Sequence, residues 1–183
     1  MDSPPISRIF PPFYAFMFLT LEPAIIATSM IALVLSPTNF FISLAPDTSS
    51  GALFHKNPST ATCGASESWN TPQLRALHYQ YMSAFAFSAV IEPLMLFIAR
   101  YRISNSSDAE QVIRGVLLSF LAFDAFHAFA TAGVVGLDAV LPWSTSVNWY
   151  SCINVWVPVA WMIVRTCWLV GAGRGHQIRL KKD

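Results

Sequence analysis

Four long apolar runs separated by polar stretches dominate the chain, over residues 9–35, 74–99, 112–135 and 147–170. A helix that spans a membrane needs about 20 apolar residues, each rising about 1.5 Å, and all four runs reach that length. None alternates apolar and polar positions as the strands of a membrane barrel do. The pattern therefore predicts an all-α fold: a single polytopic membrane domain built as a bundle of four transmembrane helices.

Local signals mark the boundaries. Pro37 is expected to end the first helix, and Asn70-Thr71-Pro72 offers a cap followed by a first-turn proline for the second. Ser107-Asp108-Ala109-Glu110 reads as a capping box, with acids at the positive end of the third helix. Gly171, Gly173 and Gly175 are expected to end the fourth. Residues 36–70 are rich in Ser, Thr, Pro and Asn and leave no room for a fifth span. The start, MDSPPISRIF, lacks a cluster of cations, and no small-residue cleavage site follows the apolar run. The first helix is therefore expected to act as an uncleaved signal anchor.

Composition agrees. Of 183 residues, 54% are hydrophobic and 11% charged, and mean hydropathy is +0.48. Soluble domains carry roughly 25% charged residues. Formal net charge is +1, which supplies no general field for nucleic acid. Three cysteines are too few for a disulfide framework.

The basic residues set an orientation. Arg8, Arg100, Arg102, Arg114, Arg174, Arg179, Lys181 and Lys182 fall on one side if the helices alternate, and only Lys56 and Arg75 fall on the other. Both termini, including the basic tail 174–183, are then cytosolic, and the 36–70 loop is lumenal. The sequon Asn105-Ser106-Ser107 falls on the cytosolic side, where no glycan is expected. A Cys63–Cys152 bridge on the lumenal side is one option. The closing Arg-Leu-Lys-Lys-Asp is similar to a basic retrieval signal for the endoplasmic reticulum.

Ionisable residues inside the runs carry the candidate chemistry. Glu22, Glu92, Asp124, His127 and Arg165 all lie in apolar context. A charge at the centre of a span costs about 2.5–3.5 kcal/mol on insertion scales, so such residues face the bundle interior, pair, or line a wet cavity. Glu92 lies eight residues from Arg100, and Arg165 nine from Arg174. At about 1.5 Å per residue both sit roughly 12 Å below the cytosolic edge. They read either as an ion pair that pins two helices or as a clamp for a substrate group. Glu22 and Asp124 lie nearer the middle of their spans, and His127 shares a helix face with Asp124 at i,i+3. These three read either as polar staples or as an acid–base set in which one carboxyl gives a proton and its partner takes one. Asn154 lies too deep for an interfacial role and is expected to hydrogen-bond across helices. Trp149, with Trp143 and Tyr150, fits an interfacial aromatic belt or the mouth of a site. Glu22-Pro23 and Glu92-Pro93 predict kinks, with Thr20 and Ser88 available to satisfy freed carbonyls. Asp124 and His127 alone are too sparse for a metal site. No phosphate loop, HExxH, CxxC or nucleophile elbow is present, and no cofactor is expected.

Several of these features, in order, resemble a family of small fungal integral membrane proteins grouped as a domain of unknown function. They are Leu21-Glu22-Pro23, Thr71-Pro72-Gln73-Leu74, Glu92, Asp124-Ala125-Phe126-His127, Trp149, Asn154, and the stretch from Arg165 to Gly173. Phe126 stands where that family usually has glycine, and Ile91 where it often has asparagine. The resemblance implies a four-helix bundle. Membrane cyclases and epoxide-opening enzymes of fungal secondary metabolism use intramembrane carboxyls as Brønsted acids, which supplies an analogy of chemistry.

The expectation is a cofactor-independent enzyme of the endoplasmic reticulum membrane. It would open an epoxide of an apolar polyketide or terpenoid, by hydrolysis or cyclisation. Glu22, Asp124 and His127 would be its catalytic residues, and Glu92, Arg165, Asn154 and Trp149 would bind substrate. Its partners would be that substrate, membrane lipid and other membrane enzymes of a pathway, but not nucleic acid. The alternatives are a non-enzymatic accessory, scaffold or lipid-binding protein, and a small proton-coupled transporter.

Overall fold

The computed structural model describes residues 9–35 and 72–174. Within them the chain is helical, with no strand, and four helices are long and apolar enough to cross a membrane. They are α1 (Pro12–Leu35), α2 (Pro72–Tyr101), α3 (Ser106–Val135) and α4 (Trp149–Leu169). A single further turn, Leu137–Val140, joins α3 to α4. The protein is a multi-pass membrane protein. Pro37, the 36–70 loop with Cys63, the cap residues Asn70 and Thr71, and the tail beyond Arg174 lie outside the described residues, so the Cys63–Cys152 bridge does too.

The helix starts follow from local chemistry, with one correction. α2 opens on Pro72, whose missing N–H costs nothing in a first turn. α3 does not open on the expected capping box. The Asn105 side chain is its cap and accepts from the Ser107 N–H at 3.0 Å. Asparagine caps as well as serine and stands two residues earlier, so the helix begins at Ser106, ahead of the apolar run. Glu110, released from capping, instead accepts from Arg174 at 2.8 Å and lies 3.6 Å from Arg114. Asn148 caps α4 in the same way, accepting from the Ser151 N–H at 3.0 Å. α4 ends where Gly171 and Gly173 take φ of +87° and +69°, a region that side chains with a Cβ disfavour.

Pro23 follows a wider helical turn. Over Met17–Leu21 the backbone of α1 is π-helical, and the Glu22 N–H donates to the Met17 carbonyl five residues back. Phe10, Tyr14, Phe18 and Glu22 recur every four residues and are all buried. In an α-helix of 3.6 residues per turn that stripe would drift sideways. The wider π turn takes up the drift and keeps Glu22 on the buried face. Ser88 does not cap the carbonyl freed by Pro93; its hydroxyl donates to Ala84 at 2.9 Å, inside its own helix.

Packing is uneven along the bundle. At the end that carries Arg100, Arg114 and Arg174, one aromatic and aliphatic core joins all four helices. It includes Phe10 and Phe18 of α1 with its leading turn, Leu96 of α2, Ile113 and Leu117 of α3, and Trp161 and Trp168 of α4. Besides the Arg174–Glu110 bond, three long-range hydrogen bonds from side chains to backbone carbonyls tie this end together. Tyr14 donates to the Ala172 carbonyl at 2.7 Å, Trp168 Nε1 to the Ile9 carbonyl at 3.0 Å, and Arg100 to the Phe10 carbonyl at 2.5 Å. Towards the other end α3 stays packed on α4, with a small cluster of Ala128, Val140 and Val155, whereas a cavity separates α1 from α4 beyond Glu22.

Candidate active site within the membrane

Each buried stripe carries one charged residue at its helical period. These are Glu22 on α1, Glu92 between Ser88 and Leu96 on α2, Asp124 between Leu117 and Ala128 on α3, and Arg165 between Trp161 and Trp168 on α4. The bundle brings all four together. Arg165 is fully buried and sits at the centre. Its Nη1 donates to Asp124, and its Nη2 donates to Glu22 at 2.5 Å and to both carboxyl oxygens of Glu92 at 3.0 Å. Its guanidinium carbon also lies 5.3 Å from the Phe18 ring centre and 5.7 Å from that of Phe120, within the range of cation–π attraction.

The expected Glu92–Arg165 pair is thus real but incomplete. It is half of a four-residue cluster that also holds the two carboxyls read as a separate set. Three carboxyls face one guanidinium. Fully ionised, they would leave two negative charges uncompensated in hydrocarbon, where such charge is most costly. The cluster is electrically neutral when two of its carboxyls carry protons. Two of its atoms, Glu22 Oε2 and Arg165 Nε, are buried with no hydrogen-bond partner among the described residues.

Above this cluster lies the cavity, about 380 Å³ in volume. Glu22 and Asp124 reach its wall, whereas Glu92 and Arg165 do not and lie beneath it. The rest of the wall is mainly apolar. Ile25, Ile26 and Ala32 come from α1, Phe85 from α2, Phe120 and Phe123 from α3, and Ile153, Val157 and Trp161 from α4. Ile25 and Ile153 are both exposed, so the cavity opens sideways between α1 and α4 towards the membrane.

A second polar position stands higher on the wall. His127 Nε2 lies 3.2 Å from Asn154 Oδ1, and Asn154 Nδ2 donates to Thr131 at 3.1 Å. His127 and Asp124 line one cavity, yet the histidine's bond goes across to α4 and not down to the carboxyl. One helical turn separates them along α3, and Asn154 offers the nearer acceptor. Trp149 takes no part: it is exposed in the first turn of α4, and its neighbour Tyr150 lines the cavity instead. Of the expected site residues, Glu22, Asp124, His127 and Asn154 line the cavity, while Arg165 beneath it bonds Glu22, Asp124 and Glu92.

Pro158 on the cavity wall was not singled out in the sequence, although its meaning is readable there. It withholds the N–H that would bond the Asn154 carbonyl, in the same turn as the Asn154 side chain. Among the described residues, no group of three or more His, Cys, Asp or Glu side chains is placed to hold a metal ion. No protein-family model, no curated protein and no solved structure matches the chain.

Proposed function

We propose that the protein is a membrane-embedded, cofactor-independent enzyme that opens an epoxide of an apolar substrate by acid–base catalysis. One observation carries the reading: two carboxyls from different helices, linked through a single buried guanidinium, meet at the inner end of an apolar cavity open to hydrocarbon. A cluster that served only to join helices would gain nothing from a 380 Å³ cavity at its surface, since unfilled space forfeits packing.

In the proposed reaction, protonated Glu22 gives its proton to the epoxide oxygen as that carbon–oxygen bond breaks. Water attacks the carbon from the opposite face, and ionised Asp124 takes the proton that this water releases. The product is a vicinal diol. The pair resets when a proton returns from Asp124 to Glu22 through water. In a cyclisation an internal hydroxyl replaces the attacking water, and the proton balance is unchanged. His127 and Asn154, one turn further out, position a polar group of the substrate or the attacking nucleophile. The apolar walls keep bulk water from the opening epoxide.

Filling the cavity without touching the carboxyls separates this from a purely structural role. Ser29 lines the cavity on α1, seven residues beyond Glu22, or roughly 10 Å away at 1.5 Å per residue. Ser29→Phe should leave the protein folded and inserted while raising KM or abolishing turnover of an apolar epoxide in microsomes. Unchanged turnover would place the reaction elsewhere.

The resemblance to fungal membrane proteins and the basic C-terminus support a place in the endoplasmic reticulum membrane, within a secondary-metabolite pathway. The basic residues support cytosolic termini. In a chain whose only cysteine is Cys63, a membrane-impermeant thiol reagent should label from the lumenal side of sealed microsomes only after permeabilisation. Labelling of intact vesicles from outside would reverse the orientation.

A further inference from the structure

The inner end of the cavity favours a ligand that brings positive charge. Among the described residues, no cationic side chain other than Arg165 bonds Glu22, Glu92 or Asp124. Both terminal nitrogens of Arg165 are already committed, one to Asp124 and the other to Glu22 and Glu92. Glu22 nevertheless keeps one buried oxygen, Oε2, without a partner among the described residues, and Glu22 lines the cavity. A buried acceptor without a donor is costly, and more so when charged. A ligand that placed a donor there would relieve that cost, and one that also carried positive charge would offset the excess of carboxyls.

We propose that the cavity binds apolar amines, with the ammonium group at Glu22 and the hydrocarbon part lying between α1 and α4. The walls suit such a molecule. From Glu22 to Ala32 the helix rises roughly 15 Å, enough for an extended chain of about ten carbons. Ile25, Ile26, Ile153 and Val157 give that chain an apolar surface on both sides. Arg165, bonded to the other oxygen of the same carboxyl, repels the cation, but its charge is offset by the two further carboxyls that it faces. An alcohol of the same length would satisfy the Glu22 oxygen but would leave three carboxyls to one cation, whereas an ammonium takes the place of one of the two protons. Amine binding does not depend on epoxide chemistry, and it is read by occupancy instead of turnover.

The test uses the full-length protein in nanodiscs of phosphatidylcholine. Two probes are compared, decylamine and decanol, each carrying a diazirine at the same carbon. The amine should label residues of α1 and α4 that line the cavity at roughly one tenth of the concentration the alcohol needs, as expected when a charge-assisted hydrogen bond replaces a neutral one. Unlabelled decylamine should displace the label, whereas undecane, its neutral isostere with a methyl group in place of the ammonium, should not at the same membrane concentration. Glu22→Gln should bring the two probes close to equal potency. The wild-type comparison of charged and neutral competitors stands even if that variant fails to fold. Equal labelling by amine and alcohol, equal displacement by both competitors, or a full amine preference in folded Glu22→Gln would each overturn the proposal.

Discussion

Arg165→Met should be the most damaging single substitution in the protein. It leaves Glu22, Glu92 and Asp124 buried without their shared cation. Breaking a buried ion pair costs roughly 3–5 kcal/mol, and here three partners are stranded at once. The expected result is loss of monodisperse protein on size-exclusion chromatography in detergent. Glu92→Gln should be far milder. An isolated Glu92–Arg165 pair would make the two substitutions comparable, because each would strand the other's charge. In the cluster, Arg165 keeps two carboxyls after Glu92 is neutralised, and glutamine still offers one acceptor to Nη2. Adding Glu92→Gln to Arg165→Met should restore only part of the yield. Comparable losses in the two single variants would show that Glu22 and Asp124 do not share the guanidinium.

Glu22→Gln and Asp124→Asn should behave in the opposite way, keeping the fold and losing the reaction. Each amide retains an oxygen that can accept from Arg165, so the packing of four helices around the guanidinium survives. An amide cannot deliver or store the proton that the epoxide opening needs. Turnover by purified variants, matched for folded protein, should fall by roughly 10²-fold or more, the usual worth of a positioned acid or base. His127→Ala should cost less, since His127 reaches the cavity but bonds Asn154 and not a carboxyl. Wild-type rates in both amide variants would rule out Glu22 and Asp124 as the acid and base.

The fold was legible because a membrane imposes simple arithmetic. The apolar runs gave the number of helices, Pro72 marked the start of α2, and Gly171 and Gly173 marked the end of α4. α3 alone begins well ahead of its run, because Asn105 caps it there and its first turn is built mainly of polar residues. The site was legible in part. All four charged members stood out as ionisable residues in apolar context, but their grouping did not. Counting from the helix flanks placed Glu92 and Arg165 at one depth and Glu22 and Asp124 at another. An arginine side chain is long enough to cross that difference, and Arg165 bonds carboxyls from both sets. The cavity was not readable at all. It arises where α1 and α4 part beyond Glu22, which depends on packing between helices distant in sequence and on the π turn that aims Glu22. No local pattern encodes that separation.

The central claim is that the Glu22–Asp124 site adds a nucleophile to an epoxide inside the membrane. Its most direct test is a single incubation in ¹⁸O-labelled water. The purified protein in nanodiscs receives an apolar monoepoxide, and the products are read by mass spectrometry. Wild-type protein should give a vicinal diol carrying one ¹⁸O, or an unlabelled cyclic ether where the substrate bears a suitably placed hydroxyl. The folded Glu22→Gln/Asp124→Asn double variant should give neither. Product formed equally by wild type and double variant, or by neither across a panel of apolar epoxides that partition into the nanodisc, would contradict the claim.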